Sequence, residues 1–324
     1  MKRLAMACVV ALLAPGWAAG QVTLRVSTSA PPSDVLTKAL GAFQESVERA
    51  TAGSVKVTVF PANTLFRQGA EIPAIERGTL DMSTGTTFEV ADEVPALGLF
   101  DRAYLFRDYA QMRRAFDGPI GEEYRKRVLD KMGVRILAVM YLGTRQVALR
   151  SERAVATPKD MEGVKLRMVA GPEWLLLGRA LGASPVPMGM AEVYLAMQTG
   201  TIDGEDNPLS IVAAAKLYEV SKEVVLTVHM VQPVFLDIGE RAWKKLDAGQ
   251  QAAVQAAAGV AQKQNDAGRL AQEGEALALV KAKGLRVAEP DLGAFRANAA
   301  AVYGASDLAK GWDQGLLKQV LAVP

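Results

Sequence analysis

The sequence predicts an α/β fold built as two lobes, and three observations carry that expectation. Its first third alternates short period-two apolar runs with helical stretches in the order β-α-β-α-β. The chain has 324 residues, more than one hydrophobic core usually serves. Gln250 to Lys281 is rich in Ala with Gln, Lys, Asp and Glu and has few helix breakers. Those residues favour one long helix, which at ~1.5 Å per residue outruns a small lobe and is placed to brace two. Gly259 and Gly268 are the points where it would bend. Its apolar positions are mostly Ala without a clean heptad, which speaks against a coiled coil.

Val22 to Ser27 alternates apolar and polar residues and reads as the first strand. Asp34 opens a helix whose apolar face is Val35, Leu36, Ala39, Leu40, Phe43 and Val47, and Gly53 closes it. Ser54 to Phe60 is a second strand, followed by a turn at Pro61-Ala62-Asn63 and a short helix from Arg67 to Arg77 that Gly78 ends. Asp81 to Thr86 is a third strand, making a largely parallel sheet. Helices follow at Tyr109 to Phe116 and Gly121 to Lys131, then strands at Val134 to Tyr141 and Gln146 to Leu149. The second unit has strands at Lys165 to Val169 and Ser184 to Val186, and helices at Glu173 to Leu181, Ala191 to Thr199 and Pro208 to Leu217. Val224 to Leu226 and Val234 to Ile238 are late strands.

Residues 1–20 read as a secretory signal. Lys2 and Arg3 precede an apolar run from Leu4 to Leu13, and Ala18-Ala19-Gly20 supplies small residues before a cut at Gln21. The run is far shorter than the ~20 residues that span a bilayer. Cys8, the only cysteine, falls inside this signal, so thiolate chemistry and disulfides are excluded from the mature chain. Without Lys2 and Arg3 the 37 basic residues fall to 35, matching the 35 acidic ones. That neutrality offers nothing to nucleic acid or a membrane surface.

His229 is the only histidine, which excludes His-based zinc pairs and two-histidine mechanisms. No G-x-S-x-G elbow, Walker A loop or strand-linked G-x-G-x-x-G is present. Asp203-Gly204-Glu205-Asp206-Asn207 lacks the ligand spacing of an EF-hand and reads as a turn, with Asn207 as N-cap and Pro208 as the first residue of a helix. No metal and no cofactor is expected.

The most informative stretch runs from Tyr141 to Tyr218. It contains Gly143-Thr144-Arg145-Gln146, then Asp160-Met161-Glu162-Gly163-Val164-Lys165-Leu166-Arg167, then Leu181-Gly182-Ala183-Ser184-Pro185. Glu192-Val193-Tyr194-Leu195-Ala196-Met197-Gln198-Thr199-Gly200, Ile202 to Pro208 and Tyr218-Glu219-Val220 complete it. This succession resembles the DctP-type substrate-binding subunits of TRAP transporters over essentially the whole mature chain. Pro61, Gly78, Leu80, Asp81 and Tyr104-Leu105-Phe106 also fall in family-like places.

The resemblance implies a two-lobed periplasmic binding protein fold with hinge strands and a long helix spanning both lobes. Lobe I is then 21–145, with about 235–265 returning to it, and lobe II is 146–234, with part of 266–324 packing across both. It implies a monomeric periplasmic protein that performs no reaction and delivers a small organic acid to small and large membrane permease subunits. Arg167 takes the place of the arginine that grips the ligand carboxylate, Arg145 that of a second arginine, and Asn207 that of an assisting asparagine. A guanidinium fork matches a carboxylate bidentately in a way that Lys165 does not.

By the same resemblance Ser29, Gln68, Thr86, Glu89 and Met190 are candidate contacts, with Trp174, Gln232 and Phe235 as further ones. Several charged or aromatic groups of the sialic-acid binders are absent, which disfavours sialate. Gln68 and Glu89 suit ligand hydroxyls and favour a sugar acid or hydroxy acid, with a C4-dicarboxylate also admitted. The alternatives are an exported α/β enzyme using His229 or an acid pair, and a periplasmic sensor component that presents its ligand to a membrane receptor.

Overall fold

The structure, a computed structural model, describes residues 21–324. The expected signal segment and Cys8 lie outside the described residues. Nine strands form one mixed sheet: β1 (Val22–Ser27), β2 (Val55–Phe60), β3 (Met82–Ser83), β4 (Val134–Leu149), β5 (Lys165–Met168), β6 (Ser184–Pro187), β7 (Gly204–Pro208), β8 (Glu223–Gly239) and β9 (Arg286–Ala288). Their order is β2-β1-β3-β8-β4-β7-β5-β6, with β9 beside β8. Pairing is parallel within β1, β2 and β3 and within β5, β6 and β7, and antiparallel where these groups meet β8 and β4.

β4 and β8 run through both lobes. Val134 to Tyr141 pairs with the Pro233 to Gly239 end of β8, while Val147 to Leu149 pairs with Glu223 to Val225. The sequence suggests two separate strands at each of these places, and the structure joins them. Two irregularities at the crossing explain the apparent breaks. One falls at Leu142, where Gly143 has φ 131° and an added Cβ would come within 2.6 Å of Pro208. The other lies between Val225 and Met230 of β8, where Val228 has φ 45° and its N–H donates to Gln146 Oε1 at 2.9 Å. A β-branched residue is costly in the left-handed region. The expected boundary at 145/146 therefore falls inside a continuous strand.

The helix Ala248–Ala282 spans both lobes. Val254, Ala257, Ala258 and Ala261 join the core around β1, β2 and the helix Val35–Ala50, whereas Ala276 and Val280 join the core of lobe II. It continues unbroken through both expected bend points. Gly268 instead permits close packing, since a Cβ there would lie 2.8 Å from Val35 Cγ1.

Other elements differ from the sequence expectation. The third strand is two residues long, because Thr86 and Glu89 form a capping box that starts the helix Thr87–Glu93. The helix expected from Arg67 begins at Glu71. Asn207 is not an N-cap but part of β7, and the next helix is Leu209–Ala214. β9 and the helices Leu292–Ala305, Asp307–Lys310 and Gln314–Leu321 have no counterpart in the sequence reading. Among the described residues no helix is long and apolar enough to cross a membrane.

Candidate functional site

The loops after β1 and β3 face the ends of β5 and β7 across a cavity of about 720 Å³, part of it open to solvent. Its lining includes Ser29, Gln68, Thr86, Glu89, Arg145, Arg167, Met190, Asn207 and Gln232, nine of the eleven expected contacts. The other two require correction. Trp174 is fully buried behind the cleft, 4.7 Å beneath the Arg145 guanidinium and edge-on to Phe88. Phe235 is core, packed against Phe116 and Tyr124. Both are large aromatics near site residues, so sequence position alone did not separate wall from support.

The two arginines differ in what holds them. Arg145 donates through Nε to Asp206 Oδ2 at 2.7 Å, through Nη1 to Gln232 Oε1 at 2.7 Å, and through Nη2 to the Asp206 carbonyl. Asp206 is fully buried. Burial alone would raise its pKa, but Arg145 and His229 outweigh that and hold the carboxyl well below its usual range. The positive charge of Arg145 is therefore compensated within the protein.

Arg167 forms no ion pair with any described acid. Its Nε donates to the Met188 carbonyl at 2.8 Å and its Nη2 reaches Gln68 Oε1 at 3.3 Å, while Nη1 has no hydrogen-bond acceptor among the described residues. Burial lowers its pKa to about 10, partly offset by Asp206 and Glu205, so it stays charged at neutral pH. Glu205 is buried beside it and accepts from Asn207 Nδ2. Burial and the neighbouring Asp206 raise the Glu205 pKa to about 7. The cationic end of the cleft thus holds two guanidiniums against one ionised and one half-titrated carboxyl. That leaves an excess of positive charge facing the cavity.

Gln68 Oε1 also accepts from the Met190 N–H at 3.1 Å. Met190 Sδ lies 3.7 Å from Asn207 Nδ2. His229 is fully buried, with Nε2 3.1 Å from Asp206 Oδ2 and Nδ1 2.8 Å from Thr227 Oγ1. Burial lowers its pKa, with Asp206 opposing, and its place is behind Arg145 rather than on the cavity wall.

The sequence reading missed Glu71, Thr84, Phe88 and Asp34, which also line the cavity. Asp34 is committed elsewhere. It caps the helix Val35–Ala50 through the Leu36 N–H and pairs with Arg269 of the long helix at 2.6 Å. Arg269 also donates to Ser210 Oγ of lobe II at 2.9 Å. Among the described residues no group of three or more His, Cys, Asp or Glu side chains is arranged to hold a metal.

The chain is similar to known solute-binding proteins in sequence and fold. Residues 26–307 match the family described as bacterial extracellular solute-binding protein, family 7 (DctP). A solute-binding protein of Verminephrobacter eiseniae is 32% identical over 89% of this chain and 85% of its own. A TRAP periplasmic solute-binding protein of Roseobacter denitrificans, solved with bound 3-deoxy-D-manno-oct-2-ulosonic acid, is 36% identical. It superposes with a TM-score of 0.89, covering 94% of this chain and 100% of that one. A second from the same organism, solved with L-galactonate, is 29% identical with a TM-score of 0.87, covering 94% of this chain and 99% of that one.

Proposed function

This chain belongs to the DctP family of bacterial extracellular solute-binding proteins, receptors rather than enzymes, and we propose that its cleft holds a sugar acid by the carboxylate on Arg167. The protein captures a small organic carboxylate for a TRAP-type membrane permease, as its relatives do. The observation that carries the residue assignment is the contrast between the arginines. Arg145 is neutralised by Asp206, while Arg167 faces the cavity with an unspent Nη1.

A carboxylate on the Arg167 fork gains charge-assisted bonds of about 1.5–3 kcal/mol each. Asn207, Arg145 and Gln232 border the same end of the cavity and assist. Ser29, Gln68, Thr86 and Glu89 serve the rest of the ligand from lobe I, with Met190 as its apolar wall. Lobe I is taken as 21–145 with 235–265 returning to it and lobe II as 146–234, closing about β4 and β8. The protein works as a monomer, exported to the periplasm by residues 1–20.

A thermal-shift screen of aldonates, uronates and ulosonates tests the proposal. Stabilisation by at least one of them, lost in Arg167→Ala, is the expected result. No stabilisation by any carboxylate would overturn it.

A further inference from the structure

The cavity lining carries groups of opposite charge. Among the described residues its lining cations are Arg145 and Arg167, and its lining acids are Asp34, Glu71 and Glu89. Asp34 is neutralised by Arg269. Glu71 and Glu89 form no ion pair with any described cation, although they are only 6% and 7% exposed. Their neighbours are hydrogen-bond donors or other acids. Glu89 Oε2 accepts from the Thr86 N–H at 2.8 Å and the Thr86 hydroxyl at 2.9 Å. Glu71 Oε2 is buried without a hydrogen bond of good geometry among the described residues, although the Ser27 hydroxyl and the Gly69 and Ala70 N–H groups are near enough to lower its pKa in part.

A buried, unpartnered carboxyl oxygen is costly unless something in the bound state donates to it. The groups that can do so without adding negative charge are ligand hydroxyls. A second carboxylate at the same place would add negative charge beside two acids that have no cation to offset it. Like-charge juxtaposition of that kind costs several kcal/mol.

We propose that Glu71 and Glu89 are specificity-determining residues, accepting ligand hydroxyls and rejecting a second anion beside them. The ligand is then a polyhydroxylated monocarboxylate, and C4-dicarboxylates and aldarates are excluded. The inference rests on the assignment of the ligand carboxylate to Arg167. Burial raises the pKa of both acids, to about 7 for Glu71, and Glu71 adds to the rise at Glu89. This agrees with two carboxyls facing each other's charge without a cation.

The test is calorimetric titration at pH 8 with matched pairs that differ only at the terminal carbon: galactonate against galactarate, gluconate against glucarate, and erythronate against meso-tartrate. The expected result is that at least one monocarboxylate binds and its dicarboxylate partner binds about 100-fold more weakly. In Glu71→Gln or Glu89→Gln, checked for folding by circular dichroism, that ratio is expected to fall at least about tenfold. Equal binding of a pair by the unsubstituted protein overturns this inference and leaves the Arg167 assignment standing. An unchanged ratio in both folded variants does the same. Failure of all these acids and of 3-deoxy-D-manno-oct-2-ulosonate to bind overturns both.

Discussion

Arg145 and Asp206 are joined twice, by an Nε–Oδ2 ion pair of 2.7 Å and by a bond from Nη2 to the Asp206 carbonyl. Because this pair is closed on itself, Arg167 is left as the cation that seeks an outside partner. The two arginines should therefore fail differently. Removing Arg145 strands a buried carboxylate, which typically costs about 3–5 kcal/mol, so Arg145→Ala is expected to unfold at clearly lower temperature. Arg167→Ala is expected to lower Tm less and to weaken binding far more. Scanning calorimetry with titration of both variants separates the two.

Glu205 should couple binding to protons. Its carboxyl faces Arg167, Arg145, Asp206 and Asn207, and burial with Asp206 puts its pKa at about 7. A ligand carboxylate on Arg167 adds negative charge beside it and raises that pKa further. The complex then binds more protons than the free protein, and affinity falls as pH rises through 7. Glu71 also titrates near 7 in lobe I, so the effect is read as a difference between variants. Titration from pH 6 to 8 is expected to show a steeper fall for the unsubstituted protein than for Glu205→Gln. Identical slopes would remove Glu205 from the coupling.

Asp237 predicts a pH dependence of stability. It is buried, and one carboxyl oxygen accepts from the Gly85 N–H at 3.2 Å while the other has no partner among the described residues. Burial raises its folded pKa to about 8. The folded state then holds a proton that the unfolded state releases near pH 4, so this contribution is full below about 4 and fades as pH rises through 8. Asp237→Asn removes the charged form and is expected to raise Tm at pH 8 relative to its effect at pH 5. Thermal unfolding at the two values checks it.

Arg269 of the long helix joins Asp34 to Ser210. Asp34→Ala leaves a buried guanidinium without its acid and a helix without its cap. It is expected to lower stability by about 3–5 kcal/mol, read from denaturant unfolding. Ser210→Ala removes one bond to a charged group, about 1.5–3 kcal/mol, and is expected to lower Tm less than Asp34→Ala does.

Much of the fold was legible because local patterns were strong. The helix face Val35, Leu36, Ala39, Leu40, Phe43 and Val47 is buried as its spacing requires, and the Ala-rich segment is one helix from Ala248 to Ala282. The crossing strands were misread because their continuity depends on tertiary pairing across a bulge at Val228 and a glycine at 143, which look like breaks in one dimension. Arg167, Arg145 and Asn207 stood out through motif order. Glu71 did not, because a glutamate opening a short helix resembles a solvated residue until the cleft is seen to enclose it. Trp174 is the opposite case: its position in the sequence suits a cleft contact and helix packing equally, and the fold buries it beneath Arg145.

The most direct measurement is titration of the protein and of Arg167→Ala with the sugar acid that gives the largest thermal shift. The expected result is a dissociation constant raised at least about 100-fold in a variant that remains folded, the equivalent of two lost charge-assisted bonds. A dissociation constant unchanged in folded Arg167→Ala would contradict the assignment of the ligand carboxylate to Arg167.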